Sequence, residues 1–260
     1  MRFISALLGT LLVASCATGP KDPPTGVAEP DKFLFERGTE ALGDRKWLNA
    51  REYFRRLVDT YPQSQFRADA KLGIGDSYLG DGTTEGKILA INEFREFLTF
   101  FPTHGRADYA QYKLGMGHFE QMLSAQRDQT ETKEAIKEFE VFLERYPNSE
   151  LGGEVRTKLR EAKDRLASSD YEVGVFYYRN RWYPGAIDRF KALLARDPEF
   201  TFRDGAYFYL AESLVKMNQN AEALPYLERL VKEFEKSEYL EDAQRRITEL
   251  KAAHAKSNVS

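Results

Sequence analysis

Cysteine occurs once in the 260 residues and histidine three times. One cysteine excludes a disulfide framework within the chain and any multi-cysteine zinc site, and three scattered histidines give little material for a histidine metal centre. Charge of one sign is also missing: 38 Lys and Arg against 41 Asp and Glu leave a net charge of -3. A dedicated nucleic-acid binder normally carries a basic excess, so no nucleic-acid partner is expected. No apolar run reaches the ~20 residues that a membrane-spanning helix needs. Aromatics, by contrast, are plentiful, with 18 Phe, 14 Tyr and 2 Trp. Such a content excludes a disordered chain. What remains is a folded, charge-laced helical protein.

The first sixteen residues read as an address. Met1-Arg2 is a short positive start, and residues 3–14 form a nearly unbroken apolar run of twelve. That length suits the core of a signal peptide. Val13-Ala14-Ser15-Cys16 then resembles a bacterial lipobox, which predicts that Cys16 becomes the mature N-terminus carrying diacylglycerol and an amide-linked acyl chain. Two or more acyl chains anchor a protein stably without a transmembrane helix. By the sorting scheme that goes with this resemblance, Ala17 directs the protein to the outer membrane. Residues 18–31 hold four Pro and two Gly, and predict a flexible tether that lifts the folded part off the lipid. The expected organisation is therefore a signal peptide over 1–15, a lipidated tether over 16–31, a first group of repeats over 32–150, and a linking helix, further repeats and a cap over 151–260.

The rest of the chain repeats itself. Ala50, Phe54 and Leu57 precede Tyr61-Pro62; Ala90, Phe94 and Phe97 precede Phe101-Pro102; Ala135, Phe139 and Phe142 precede Tyr146-Pro147. Ala186, Phe190 and Leu193 then precede Asp197-Pro198, and Ala223, Leu227 and Leu230 precede Phe234-Glu235, where the proline is lost. Offsets of four and seven put each trio on one helical face, and proline marks each exit. Upstream of each block lies a small residue followed three later, in most cases, by a large one: Gly38/Ala41, Gly75/Tyr78, Gly115/His118, Gly174/Tyr177 and Ala211/Leu214. This pattern resembles the tetratricopeptide repeat, a helix-turn-helix of about 34 residues. The expected fold is an all-α solenoid of five such repeats. Extra residues near 80–86 and 124–132 predict insertions between the two helices of repeats two and three. Residues 151–179 predict one long helix, or two nearly continuous ones, and the polar stretch 238–255 a capping helix.

Chemistry is sparse. Gly80-Asp81-Gly82-Thr83-Thr84-Glu85-Gly86-Lys87 has the look of a phosphate loop, but Ile88 stands where Ser or Thr must hold magnesium and no strand precedes it. It reads as a helix–helix loop. No GxSxG or HExxH motif occurs. His118 falls at a packing position; Asp128, Thr130 and Glu131 read as a helix N-cap. No enzyme activity, metal or cofactor is expected beyond the lipid on Cys16. A surface is expected instead. In this repeat class the first helix of each pair lines a concave groove, and projecting offsets of three and four from the glycine positions nominates Phe35, Thr39, Leu42, Leu72, Asp76, Leu79, Tyr109, Tyr112, Met116 and Phe119. Together these would make an apolar, aromatic groove for an extended peptide.

Particular stretches also match one family. Arg127-Asp128-Gln129-Thr130, Tyr146-Pro147-Asn148-Ser149, Lys163-Asp164-Arg165-Leu166-Ala167 and Val173-Gly174 followed by Phe176-Tyr177-Tyr178 occur in this order. With the lipobox ahead of five repeats, the chain resembles the BamD (ComL, YfiO) family of outer-membrane protein assembly lipoproteins. That resemblance implies a non-enzymatic scaffold on the periplasmic face of the outer membrane. Its N-terminal repeats would contact unfolded barrel proteins and its C-terminal repeats the barrel-forming subunit, with accessory lipoproteins as further partners in some lineages. It also implies that Arg189 contacts the barrel-forming subunit. The alternative is a different periplasmic repeat lipoprotein, one coordinating envelope constriction or peptidoglycan synthesis.

Overall fold

The computed structural model describes residues 21–257. Cys16 and the leader lie outside the described residues. The elements within them are all helices: α1 (Pro30–Gly43), α2 (Trp47–Thr60), α3 (Arg67–Gly80), α4 (Thr84–Phe100), α5 (Ala107–Phe119), α6 (Thr130–Arg145), α7 (Gly152–Arg179), α8 (Tyr183–Arg196), α9 (Arg203–Lys216), α10 (Asn220–Glu233) and α11 (Leu240–Ser257). They pair as α1/α2, α3/α4, α5/α6, α7/α8 and α9/α10, each packed on the next, with α11 against α10. This is an all-α tetratricopeptide solenoid of five repeats and a terminal helix.

The repeated trios form its core. Ala50, Phe54 and Leu57, and their counterparts in the other four repeats, are all between 0% and 1% exposed. Each phenylalanine needs a glycine opposite it. A Cβ on Gly38 would lie 2.6 Å from the Phe54 ring; Gly75 would meet Phe94 at 2.8 Å, Gly115 Phe139 at 2.6 Å and Gly174 Phe190 at 2.6 Å. Repeat five carries Ala211 at this position, and there the aromatic is replaced by Leu227. The small residue and the ring are therefore one device: the larger the side chain on the second helix, the smaller the one it must meet.

Turns within repeats are also uniform. Seven residues after the small residue the backbone turns left-handed, at Arg45 (φ 59°), Gly82 (φ 72°), Arg181 (φ 60°) and Asn218 (φ 60°). The expected insertion in repeat two is therefore not a longer loop. Residues 81–83 make the same short turn, and the extra residues lengthen α4 to 17 against 14 in α2. Thr83 caps α4 by accepting the Gly86 N–H at 2.9 Å. Asp81 accepts both the N–H and the hydroxyl of Thr83 at 3.1 and 2.8 Å. A Cβ on Gly86 would be blocked by Asp81, Tyr78 and Thr83, so no phosphate cradle exists there. Repeat three does carry a real insertion, residues 120–129.

A second device, absent from the sequence reading, ties successive repeats together. Hydroxyls in the exit turns donate to carboxylates on the preceding first helix: Ser64 to Asp31, Ser149 to Asp108, Thr201 to Asp164 and Ser237 to Asp204, each at 2.6 Å. Ser64 and Ser149 also accept backbone N–H groups ahead of α3 and α7. Each bond contributes on the order of 1 kcal/mol. In repeat two, His104 occupies the serine position and Arg106 reaches Asp69 instead, at 3.1 Å.

The 28-residue α7 joins two parts of the core. Val155 and Leu159 near its start pack with Phe139 and Phe142, while Ala167, Tyr171 and Val175 pack with Phe190, Phe200 and Leu210. Its length is about 42 Å at ~1.5 Å per residue. Across it, Arg160 pairs with Asp197 (3.0 Å for one of two bonds) and with Asp164 at 3.0 Å, fastening the helix to the turn after α8. No helix among the described residues is long and apolar enough to cross a membrane.

Candidate functional site

First helices of successive repeats touch one another, α1 with α3, α3 with α5, α5 with α7 and α7 with α9, so they form the inner layer of the solenoid. The ten groove candidates lie on α1, α3 and α5. They do not share one environment.

Three of them are core residues. Leu72 is fully buried, and Leu79 and Tyr112 are each 9% exposed. Leu72 and Leu79 belong to the cluster around Phe54 and Phe94, and Tyr112 to the cluster around Phe139. The expectation that they line an open groove is corrected accordingly. Its cause is geometric: offsets of three and four from each glycine mark the side of a helix that meets its neighbours as readily as the side that meets solvent. Tyr112 additionally donates its hydroxyl to Glu154 on α7 at 2.5 Å. Burial, with that carboxylate beside it, pushes the phenol above its usual range.

The others are accessible to differing degrees. Thr39 is exposed, and its hydroxyl donates to the Phe35 carbonyl at 2.9 Å. Phe35 is half-buried and stacks on Phe66, ring centres 5.0 Å apart. Leu42 packs half-buried against the first core cluster, and Met116 and Phe119 against the third. Asp76 accepts the Tyr109 hydroxyl at 2.8 Å and lies 3.9 Å from Lys113. Burial raises the Asp76 carboxyl above its ordinary value, outweighing the opposing pull of Lys113 and Tyr109.

The groove is therefore not simply apolar. Cations sit over its rings: Arg106 lies 4.6 Å from the centre of Tyr109, Lys113 lies 5.4 Å from the same ring, and Lys158 lies 4.9 Å from Phe119. Arg106, Lys113 and Lys158 fall outside the offsets that nominated the ten candidates: Lys113 stands two residues before Gly115, Arg106 precedes α5, and Lys158 lies on α7. The signal for Lys113 was present, since it stands four residues after Tyr109 and three before Met116.

Two other expectations resolve into structure. His118 is buried, and its Nδ1 lies 2.7 Å from Glu131 across the turn between α5 and α6. The expected N-cap does not form: the cap position of α6 is Gln129, which makes no side-chain cap bond, Glu131 braces the histidine instead, and Asp128 accepts the N–H of Thr130, the first residue of α6, at 2.9 Å. Arg189, on α8, has a side chain 45% exposed and lies 3.5 Å from Asp170 on α7. Asp170 is also paired with Arg196, so Arg189 holds only a shared partner. Large apolar side chains are exposed nearby in sequence, Phe176 at 61% and Trp182 at 55%. Among the described residues no cluster of His, Cys, Asp or Glu is placed to hold a metal.

A family model described as an outer membrane lipoprotein, YfiO, matches residues 27–223. The chain belongs to the BamD (YfiO) family. The outer membrane protein assembly factor BamD of Caulobacter vibrioides is 31% identical over 222 residues, covering 85% of this chain and 72% of the relative. The BamD of Vibrio cholerae is 26% identical over 206 residues, covering 75% and 83%. That of Rickettsia prowazekii is 24% identical over 225 residues, covering 86% and 88%. Among solved structures, the TPR2AB domain complex of yeast Sti1 aligns over 86% of this chain and 83% of its own, with a TM-score of 0.47 at 14% identity. As a BamD-family member the chain is an outer membrane protein assembly factor, not an enzyme.

Proposed function

We propose that this BamD-family chain is a lipid-anchored scaffold at the periplasmic face of the outer membrane. Cys16 carries the lipid. Repeats one to three hold extended segments of unfolded barrel proteins, and repeats four and five dock on the barrel-forming subunit through the region of Arg189. Accessory lipoproteins are optional further partners.

The observation that carries the substrate reading is the pairing of rings with cations on the inner layer. Tyr109 and Phe119 offer flat apolar faces, and Arg106, Lys113 and Lys158 stand over them. An extended segment with alternating aromatic residues and a carboxylate end finds both kinds of partner on these first helices. Flat rings accept varied apolar side chains with little entropy cost, and the cations, each already beside a carboxylate of the chain (Asp69, Asp76 and Glu161), would exchange or share that partner with a negative end.

Photo-crosslinking tests it. A photoreactive phenylalanine analogue replacing Thr39 or Met116 is expected to capture an unfolded barrel protein, and the same analogue replacing exposed Asp59 on α2 is not. Equal capture at all three positions would show that the inner layer has no special role.

A further inference from the structure

A flexible tether was expected from residue 18 to residue 31, yet the described part of it is laid against the first repeat. The Lys21 backbone N–H donates to the hydroxyl of Tyr53 at 2.8 Å. Asp22 pairs with Arg56 at 2.7 Å. Pro23 and Val27 are half-buried, and between them the chain turns, with the Val27 N–H on the Pro24 carbonyl at 3.2 Å and Gly26 at a φ of 87°. Tyr53 itself is 8% exposed, so its ring is fixed in the core and its hydroxyl is a rigid attachment point. Tyr53 and Arg56 lie three residues apart, on one face of α2.

We propose that residues 21–28 are a strap, docked on the face of α2 that carries Tyr53 and Arg56, and that this strap sets the height of the first repeat above the lipid surface. The inference rests on the reading of Cys16 as the lipidated residue. With the strap closed, only five chain steps separate Cys16 from the attachment at Lys21, a reach of at most about 18 Å. With it open, fourteen steps separate Cys16 from the start of α1, a reach of about 50 Å. The closed strap therefore holds the first repeat close to the bilayer, and its opening lets the whole array swing outward.

The fastenings are weak enough to open. Asp22 is 85% exposed, and ion pairs so exposed contribute little. One backbone-to-phenol bond and two half-buried side chains supply the rest. An element held in this way sits at the low-stability end of a fold, where local opening precedes global unfolding. The strap is thus a two-position leash, closed at rest and lengthened when something competes for Tyr53 or for residues 21–28.

Two measurements on the full-length protein test this. The first is trypsin cleavage after Lys21, followed by mass spectrometry. Tyr53→Phe with Arg56→Gln keeps the core ring and is expected to raise the cleavage rate about fivefold, the factor that one hydrogen bond of ordinary strength contributes to a closed state. The second uses the acylated protein in vesicles of phosphatidylethanolamine with one fifth phosphatidylglycerol. A donor dye sits on a cysteine replacing exposed Leu48, and an acceptor dye is attached to lipid. Energy transfer is expected to fall in the double variant. Equal cleavage rates and equal transfer in the two proteins would overturn the strap. Cys16→Ser separates the two readings: if that variant still floats with the vesicles, the lipid assignment fails, whereas the cleavage contrast depends only on the strap.

Discussion

Gly174→Ala alone is expected to destabilise the protein by about 2–3 kcal/mol, and Gly174→Ala with Phe190→Leu by markedly less than the sum of the two single changes. The added Cβ would stand 2.6 Å from the Phe190 ring, which is fully buried and has no room to retreat. Alanine is the better helix former by about 1 kcal/mol, so the net loss understates the clash. Phe190→Leu alone removes buried apolar volume and is expected to cost about 1–2 kcal/mol. The double variant reproduces the pair that repeat five already uses, Ala211 with Leu227. A coupling of about 2 kcal/mol in a denaturant-unfolding cycle is therefore the expected result. Additive effects would mean that glycine and ring are not matched, and that another contact sets the approach of α7 to α8.

Arg189→Glu is expected to weaken the proposed docking to the barrel-forming subunit by about 30-fold or more, the factor given by ~2 kcal/mol for a truncated charged contact. The isolated protein should keep its stability within about 1 kcal/mol, because the side chain is 45% exposed and its 3.5 Å contact with Asp170 is a surface ion pair. Asp170 retains Arg196 in the variant. A guanidinium also presents a bidentate fork to a carboxylate, which lysine does not, so Arg189→Lys should give an intermediate loss. Introducing a positive charge at the partner position should restore part of the binding to Arg189→Glu. Unchanged affinity for Arg189→Glu at moderate salt would remove this residue from the interface.

Much of the fold could be read from the sequence because the solenoid writes its rules once per repeat. Ala at offset zero, and Phe or Leu at offsets four and seven, are buried in every copy, since a second helix that lies between two first helices has no choice of face. Proline after each exit forbids continuation in four repeats. The register of the inner layer was harder. Leu72 and Tyr112 stand three residues before their glycines, as the more accessible Phe35 does, but the packing of neighbouring repeats decides which of them meets solvent, and that packing is not a property of one helix. The lengthening of α4 was misread as a loop because glycine at 82 and 86 looks like punctuation. Gly82 does sit at the left-handed turn, whereas Gly86 is needed for close packing against Asp81 and Tyr78. The carboxylate–hydroxyl bonds went unseen because their partners lie 33 to 41 residues apart. The strap was invisible for a different reason: proline-rich segments have no periodicity, so composition describes what they are made of and not what they rest on.

The scaffold role has a direct measurement. The full-length chain, purified under mild detergent from its native outer membranes by a C-terminal affinity tag, is expected to bring with it a large outer-membrane barrel protein with periplasmic domains, in fixed ratio and resistant to moderate salt. Recovery of the chain without any such barrel protein, or with peptidoglycan-synthesis proteins in its place, would contradict the assignment.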